Sequence, residues 1–125
     1  MLIGWIEEIV YYQGRYYILD RQQKGIQVFD DKGKFIFQLN KRGQGPGEYS
    51  ELRSIYLNPF TSRIDILDLS VIHSYDLSGK HVKKYPPPTN STIFFNSFVA
   101  LNEKHMCYLR EAEEKEFIII MLRKA

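Results

Sequence analysis

Cysteine is almost missing from this chain of 125 residues. Cys107 stands alone, so no internal disulfide can form and no second thiolate can share a metal with it. Long apolar runs are missing too: the longest, Phe117 to Leu122, falls far short of the ~20 residues that span a bilayer as a helix. One-sided charge is the third absence. Seventeen Lys and Arg face fifteen Asp and Glu, a net charge of +2, and the densest basic runs are only Lys41-Arg42 and Lys83-Lys84. Nucleic-acid binders carry clustered positive charge, so nucleic acid is not an expected partner. The opening Met1-Leu2-Ile3-Gly4-Trp5-Ile6-Glu7-Glu8 has no basic region and meets two acids before an apolar run could reach signal-peptide length. No leader is expected within this chain, and its compartment stays open.

What remains is a composition of the ordinary soluble kind, 44% hydrophobic and 26% charged, which suits one domain with a core of its own and excludes a multi-domain enzyme. Internal repetition is the main signal. Tyr16-Tyr17-Ile18-Leu19-Asp20 and Arg63-Ile64-Asp65-Ile66-Leu67-Asp68 are short strand-like runs that both end in Ile-Leu-Asp. A few residues later, Phe29-Asp30-Asp31-Lys32-Gly33-Lys34 corresponds to Tyr75-Asp76-Leu77-Ser78-Gly79-Lys80. The offset between the copies is 48 in the first pair and 46 in the second, so they differ by a two-residue indel.

Turn signals divide each copy into four strands. The first copy is expected to place them at Trp5 to Tyr11, Arg15 to Leu19, Gly25 to Phe29 and Phe35 to Leu39. The second is expected at Leu52 to Leu57, Ile64 to Leu67, Val71 to Tyr75 and His81 to Tyr85. A degenerate third copy follows at Phe94 to Leu101, His105 to Leu109 and Phe117 to Leu122, with Glu111 to Glu116 readable as a turn or a short acidic helix. The strands are β-branched and aromatic rather than strictly alternating, which fits sheets packed on both faces. The predicted fold is all-β, and four-stranded antiparallel units of roughly 45 residues in tandem suggest propeller blades. A small sandwich with similar hairpins is the alternative. The expected units are residues 4–40, 50–86 and an incomplete 93–123 of one partial propeller domain.

The run from Arg21 to Phe29, the turn Asp30-Asp31-Lys32-Gly33-Lys34-Phe35 and the segment Gly43-Gln44-Gly45-Pro46-Gly47-Glu48-Tyr49 resemble an NHL-type repeat, and more closely the six-bladed β-propeller proteins abundant in Bacteroidetes. The resemblance covers about residues 5–85 well. It implies a fold and a style of function, in which loops on one face bind a protein, peptide or glycan, but it supplies no catalytic set. It is compatible with a periplasmic or cell-surface location. Six blades need a longer chain, so the resemblance also implies either two copies completing a ring as a homodimer or a piece of a longer propeller.

The glycine-rich segment invites comparison with phosphate-binding loops and fails it, because Gly47 is followed by Glu48-Tyr49-Ser50-Glu51 and a strand rather than by Lys-Ser/Thr and a helix. It reads instead as a loop crossing between units, with glycine supplying positive φ and Pro46 rigidity. Asp20 and Asp68 read as Asx-turn residues and Asp30 and Asp76 as hairpin residues. His105 and Cys107 share a strand face at i, i+2, and two ligands do not make a zinc site. In Tyr11-Tyr12 and Tyr16-Tyr17, neighbours point to opposite sides, so at most one of each pair is expected to face a ligand. Pro86-Pro87-Pro88 reads as an extended connector. The expected function is a non-enzymatic binding or scaffold module with contacts in Lys41 to Glu51 and Asp20 to Lys24. Its candidate ligand-binding residues are Lys41, Arg42, Glu48, Tyr49 and Arg21, with no catalytic residue, metal or cofactor assigned. The alternative is part of a propeller hydrolase or lyase with a central cation held by carboxylates such as Asp20, Asp65 or Asp68.

Overall fold

In the computed structural model the described residues are 5–20, 22, 25–41, 43, 45, 47–49, 51–68, 71–86, 97–111 and 117–123. All regular structure among them is β. The first sheet is the antiparallel meander β1 (Ile6–Tyr12), β2 (Arg15–Asp20), β3 (Gly25–Asp30) and β4 (Phe35–Leu39). The second repeats it with β5 (Leu52–Asn58), β6 (Arg63–Asp68), β7 (Val71–Tyr75) and β8 (His81–Tyr85). The third has three strands, β9 (Ser97–Ala100), β10 (His105–Glu111) and β11 (Phe117–Arg123). Each sheet is contiguous in sequence, so short hairpins account for all its connections. Glu111 ends a strand; the rest of the segment read as a turn or helix, and the connector beyond Pro86, lie outside the described residues.

Register shows how close the repeat is. A bulge between Ile6 and Glu8 recurs between Leu52 and Ser54, and one between Val28 and Phe29 recurs between Ser74 and Tyr75. The indel resolves into two that cancel. The β5–β6 turn is two residues longer than β1–β2, and the β6–β7 turn two shorter than β2–β3. Because side chains alternate with period two, such changes leave every strand facing the same way.

The sheets stack face to face. Val10, Tyr17, Leu19, Ile26 and Val28 of the first sheet meet Ile55, Leu57, Ile64, Ile66 and Tyr75 of the second in one core. The opposite face of the second sheet, with Leu67, Ile72 and Tyr85, packs on Phe98, Met106 and Tyr108 of the third. The second sheet is therefore buried on both sides, as its continuous apolar strands predict. Polar ties also cross the first junction: Glu8 Oε1 accepts from Ile55 N–H at 3.3 Å, and Arg15 Nη1 donates to Leu77 O at 3.2 Å. Burial pushes the Glu8 carboxyl above its ordinary range.

Candidate functional site

One end of the sheets gathers the segments singled out in the sequence. Asp20 pairs with Gly25 across the β2–β3 turn, and Ile26 pairs with Leu39 at the end of β4. A Cβ on Gly25 would fall 2.8 Å from the Leu39 carbonyl oxygen and 3.3 Å from Asn40 Cβ, so this turn lies directly against the start of the inter-sheet loop. Leu52 at the start of β5 pairs with Asp68, which brings the β6–β7 turn to the same end.

The loop itself is built around Glu48. Glu48 Oε1 accepts from Gly45 N–H at 2.9 Å, and Glu48 N–H donates to Gly45 O at 3.1 Å. A Cβ on Gly43 would lie 2.6 Å from Glu48 Oε2, and one on Gly45 2.5 Å from Glu48 Oε1. These two glycines are there for close approach to a carboxylate; only Gly47, at φ 76°, uses the left-handed region that the sequence reading gave to the whole segment. Tyr49 anchors the loop. Its ring is 1% exposed within the core, its N–H donates to Lys41 O at 2.9 Å, and its hydroxyl accepts from Lys41 N–H at 3.3 Å.

The loop is fastened to the second sheet by Tyr75, whose hydroxyl donates to Gly47 O at 2.7 Å. Burial, reinforced by the charges of Tyr49, Asp68 and Glu48, pushes the Tyr75 phenol far above its ordinary range. Beside it, the His81 ring stands 5.2 Å from Tyr75 and 5.7 Å from His73, centroid to centroid. His73 Nε2 lies 3.5 Å from Asp68 Oδ2. His73 Nδ1 and His81 Nε2 are buried with no hydrogen-bond partner among the described residues. Burial, followed by the charges of His73 and Lys84, holds the His81 imidazole below its ordinary range.

Of the residues expected to bind a ligand, Lys41 is exposed on this loop. Glu48 is half-buried and committed to Gly45, and Tyr49 faces the core rather than solvent because its hydroxyl finds backbone partners there. Arg21 and Arg42 lie outside the described residues. Each tyrosine pair divides as the strand alternation requires: Tyr11 and Tyr16 are exposed, Tyr12 is half-buried and Tyr17 fully buried.

The carboxylates considered for a cation are engaged within their own sheets. Asp20 Oδ1 accepts from Trp5 N–H at 2.9 Å and Gln22 N–H at 3.0 Å, the second being the expected Asx turn, while Oδ2 accepts from Gln27 Nε2 at 3.1 Å. Asp68 repeats the arrangement, with Oδ1 accepting from Glu51 N–H at 2.9 Å and Oδ2 facing His73, which stands at the position of Gln27. Asp65 occupies the other face of β6, accepting from Ser74 Oγ at 2.6 Å and Asn58 Nδ2 at 3.1 Å. Among the described residues no three His, Cys, Asp or Glu side chains converge as a metal site. His105 Nδ1 lies 3.0 Å from Asn102 Oδ1 and Cys107 is a buried free thiol. The sequence reading missed the His73–His81 pair, which becomes visible only when the β7–β8 register and its bulge are known.

With this geometry in place, a family model described as Domain of unknown function (DUF4934) matches residues 1–122. The chain belongs to that family. Comparison with curated proteins finds no match. Among solved structures 11 chains match, one of them a Bacteroides fragilis protein described as a "putative exported protein", at 20% identity and a TM-score of 0.75 over 95% of this chain. That likeness is one of fold. This DUF4934 chain spans 35% of the length of that Bacteroides structure. No helix among its described residues is long and apolar enough to cross a membrane.

Proposed function

We propose that this chain is a non-enzymatic binding or scaffold module built of propeller-type blades, with an NHL-like character. It would recognise a protein, peptide or glycan ligand through the end of the sheets that carries the inter-sheet loop. The observation that carries this reading is the division of labour at that end. Asp20, Asp68 and Glu48 are spent on backbone N–H groups, which gives rigid turns rather than a reactive constellation, while Lys41 is left at the surface. Rigid, self-bonded loops on a sheet scaffold suit recognition because little conformational freedom is lost on binding.

The reading is tested by probing immobilised glycan and peptide arrays with the wild-type chain and with Lys41→Glu. Specific array members bound by the wild type and lost with the variant, at unchanged circular dichroism, support it. Binding indifferent to Lys41→Glu counts against this end as the contact region. A hydrolase or lyase built on a central cation makes a different demand, a rise in melting temperature on adding calcium, and the engagement of Asp20, Asp65 and Asp68 argues against one.

A further inference from the structure

The repeat shows which side chains beside the inter-sheet loop the backbone plan does not require. Gln27 and Phe35 in the first sheet stand where the second has His73 and His81. Gln27 Nε2 donates to Asp20 where His73 Nε2 faces Asp68, and Phe35 meets Phe29 edge-on at 5.7 Å where His81 meets Tyr75 at 5.2 Å. Side chains that never titrate therefore do both structural jobs one unit earlier. What the second sheet gains is a pair of imidazoles, 5.7 Å apart, of the one side-chain type that ordinarily changes charge in mildly acidic water.

The pair lies against the loop. A Cβ on Gly47 would fall 3.2 Å from both Cβ and Cγ of His81, so this ring backs onto the residue whose carbonyl Tyr75 holds. His73 is buried and His81 half-buried, yet His73 Nδ1 and His81 Nε2 are both enclosed with no hydrogen-bond partner among the described residues. A proton added to an imidazole makes both its nitrogens donors. In His81 it turns Nε2 into a charged, enclosed N–H without an acceptor, which is costly. The surroundings do not offset that cost. On its own sheet His81 faces His73, the neutral phenol of Tyr75 and the cation Lys84, and Asp68 stands beside His73. In the loop, Glu48 is turned onto Gly45 N–H and the Tyr49 hydroxyl onto backbone. In the β7–β8 turn Asp76 accepts from Ser78 and Lys80 N–H, and the first sheet brings only apolar Phe37 and Leu39 to Gly79 of that turn.

We propose that His81, backed by His73, is an acid-operated latch on the inter-sheet loop, which is held against the second sheet while His81 is neutral and released when His81 takes up a proton. The sign follows from linkage. Burial and the charges of His73 and Lys84 hold the His81 imidazole below its ordinary 6.5 while the loop is closed, so the closed form binds fewer protons than the open one, and opening grows as pH falls below 6.5. As control of ligand recognition this rests on the binding reading above; as a movement of the loop it does not.

The test is amide hydrogen exchange at about pH 7.5 and about pH 5, read as protection factors so that the intrinsic pH dependence is removed. Gly43, Glu48 and Tyr49 donate their N–H groups within the loop, and the amides of β6, paired on both sides, report global opening. In the wild type, loop protection relative to β6 is expected to fall at least about threefold in acid. His81→Phe and His73→Gln carry the residues of the first sheet and are expected to fold with unchanged circular dichroism. His81→Phe is expected to keep the loop closed at both pH values, and His73→Gln, which removes the neighbouring charge, to change the pH at which the loop opens. Loop protection that is constant in the wild type, or that falls as far in His81→Phe, overturns the latch; opening at the same pH in His73→Gln overturns the role of the pair. On the glycan and peptide arrays, binding lost at about pH 5 by the wild type and kept by His81→Phe supports control of recognition. Binding kept in acid by a wild type whose loop has opened refutes that control alone. A chain that binds no array member at either pH counts against the binding reading, and the exchange data still decide the latch.

Discussion

Removing the Asp20 carboxylate is the most direct trial of the repeated turn. Asp20 is fully buried and accepts hydrogen bonds from the backbone of exposed Trp5 and Gln22 and from the buried Gln27 amide. Water can re-satisfy the two backbone donors in Asp20→Ala, so each costs about 0.5 kcal/mol, whereas the enclosed Gln27 amide loses a charge-assisted bond of about 2 kcal/mol, together about 3 kcal/mol. Unfolding entropy of ~2.1 cal/mol/K per residue gives ~0.26 kcal/mol/K for this chain, so the melting temperature is expected to fall by about 12 °C. Asp20→Asn keeps Oδ1 as an acceptor and turns the other end into a donor. Gln27 Oε1, which has no partner among the described residues, can then rotate to meet it, and the loss is expected to be about 1 kcal/mol. Urea and thermal unfolding followed by circular dichroism measure both. An alanine variant within about 1 kcal/mol of wild type at equal denaturant slope, or an asparagine variant as damaged as alanine, refutes the reasoning.

Other consequences follow from the same contacts. His81 has a folded-state pKa below its unfolded value of 6.5, so its contribution to stability is intact above pH 6.5 and is lost as pH falls through the folded value. His81→Phe, the residue that the first sheet carries at this position as Phe35, is expected to flatten that acid limb in urea titrations repeated at several pH values. Tyr75→Phe deletes the bond to Gly47 O and is expected to cost about 1 kcal/mol, with faster amide exchange at Gly43 and Tyr49. Gly25→Ala places a methyl group 2.8 Å from a backbone oxygen and is expected to cost about 2–3 kcal/mol. Gly14→Ala, at φ 79° in open space, is expected to cost only about 1 kcal/mol, a contrast that thermal melts resolve.

Much of the fold was legible because its turns are chemically explicit. Asp30 Oδ1 accepts from Lys32 and Lys34 N–H and Asp76 Oδ1 from Ser78 and Lys80 N–H, with Gly33 and Gly79 at positive φ, so the Asp-x-x-Gly pattern marks both hairpins. Strand ends moved by a residue or so, as at Asp20 and Asn58, whose backbones still pair. The faces were less legible. In the second sheet both sides are apolar, so alternation carries no signal there, and only the stacking shows which residues meet the first sheet and which the third. The loop was misleading in one respect: Tyr49 amid glycines reads as an exposed contact residue, but its backbone-bonded hydroxyl allows it to be buried.

Comparison of equivalent positions separates what the backbone requires from what each junction requires. Asp20 and Asp68 perform one task in both sheets, holding the N–H that precedes the first strand, and their partners Gln27 and His73 share only the ability to present a nitrogen to the carboxylate. That task belongs to the repeat. Tyr17 and Val28 in the first sheet correspond to Asp65 and Ser74 in the second, and here the chemistry changes completely. These positions face the following sheet. Tyr17 and Val28 fill an apolar junction, whereas Asp65 forms a buried polar cluster with Ser74 and Asn58. A buried carboxylate is costly unless it is fully hydrogen-bonded, so this junction accepts a narrower set of neighbours than an apolar one. The two internal junctions are thereby made chemically distinct on one backbone plan, which disfavours a shift of the stack by one sheet and favours a defined order of units.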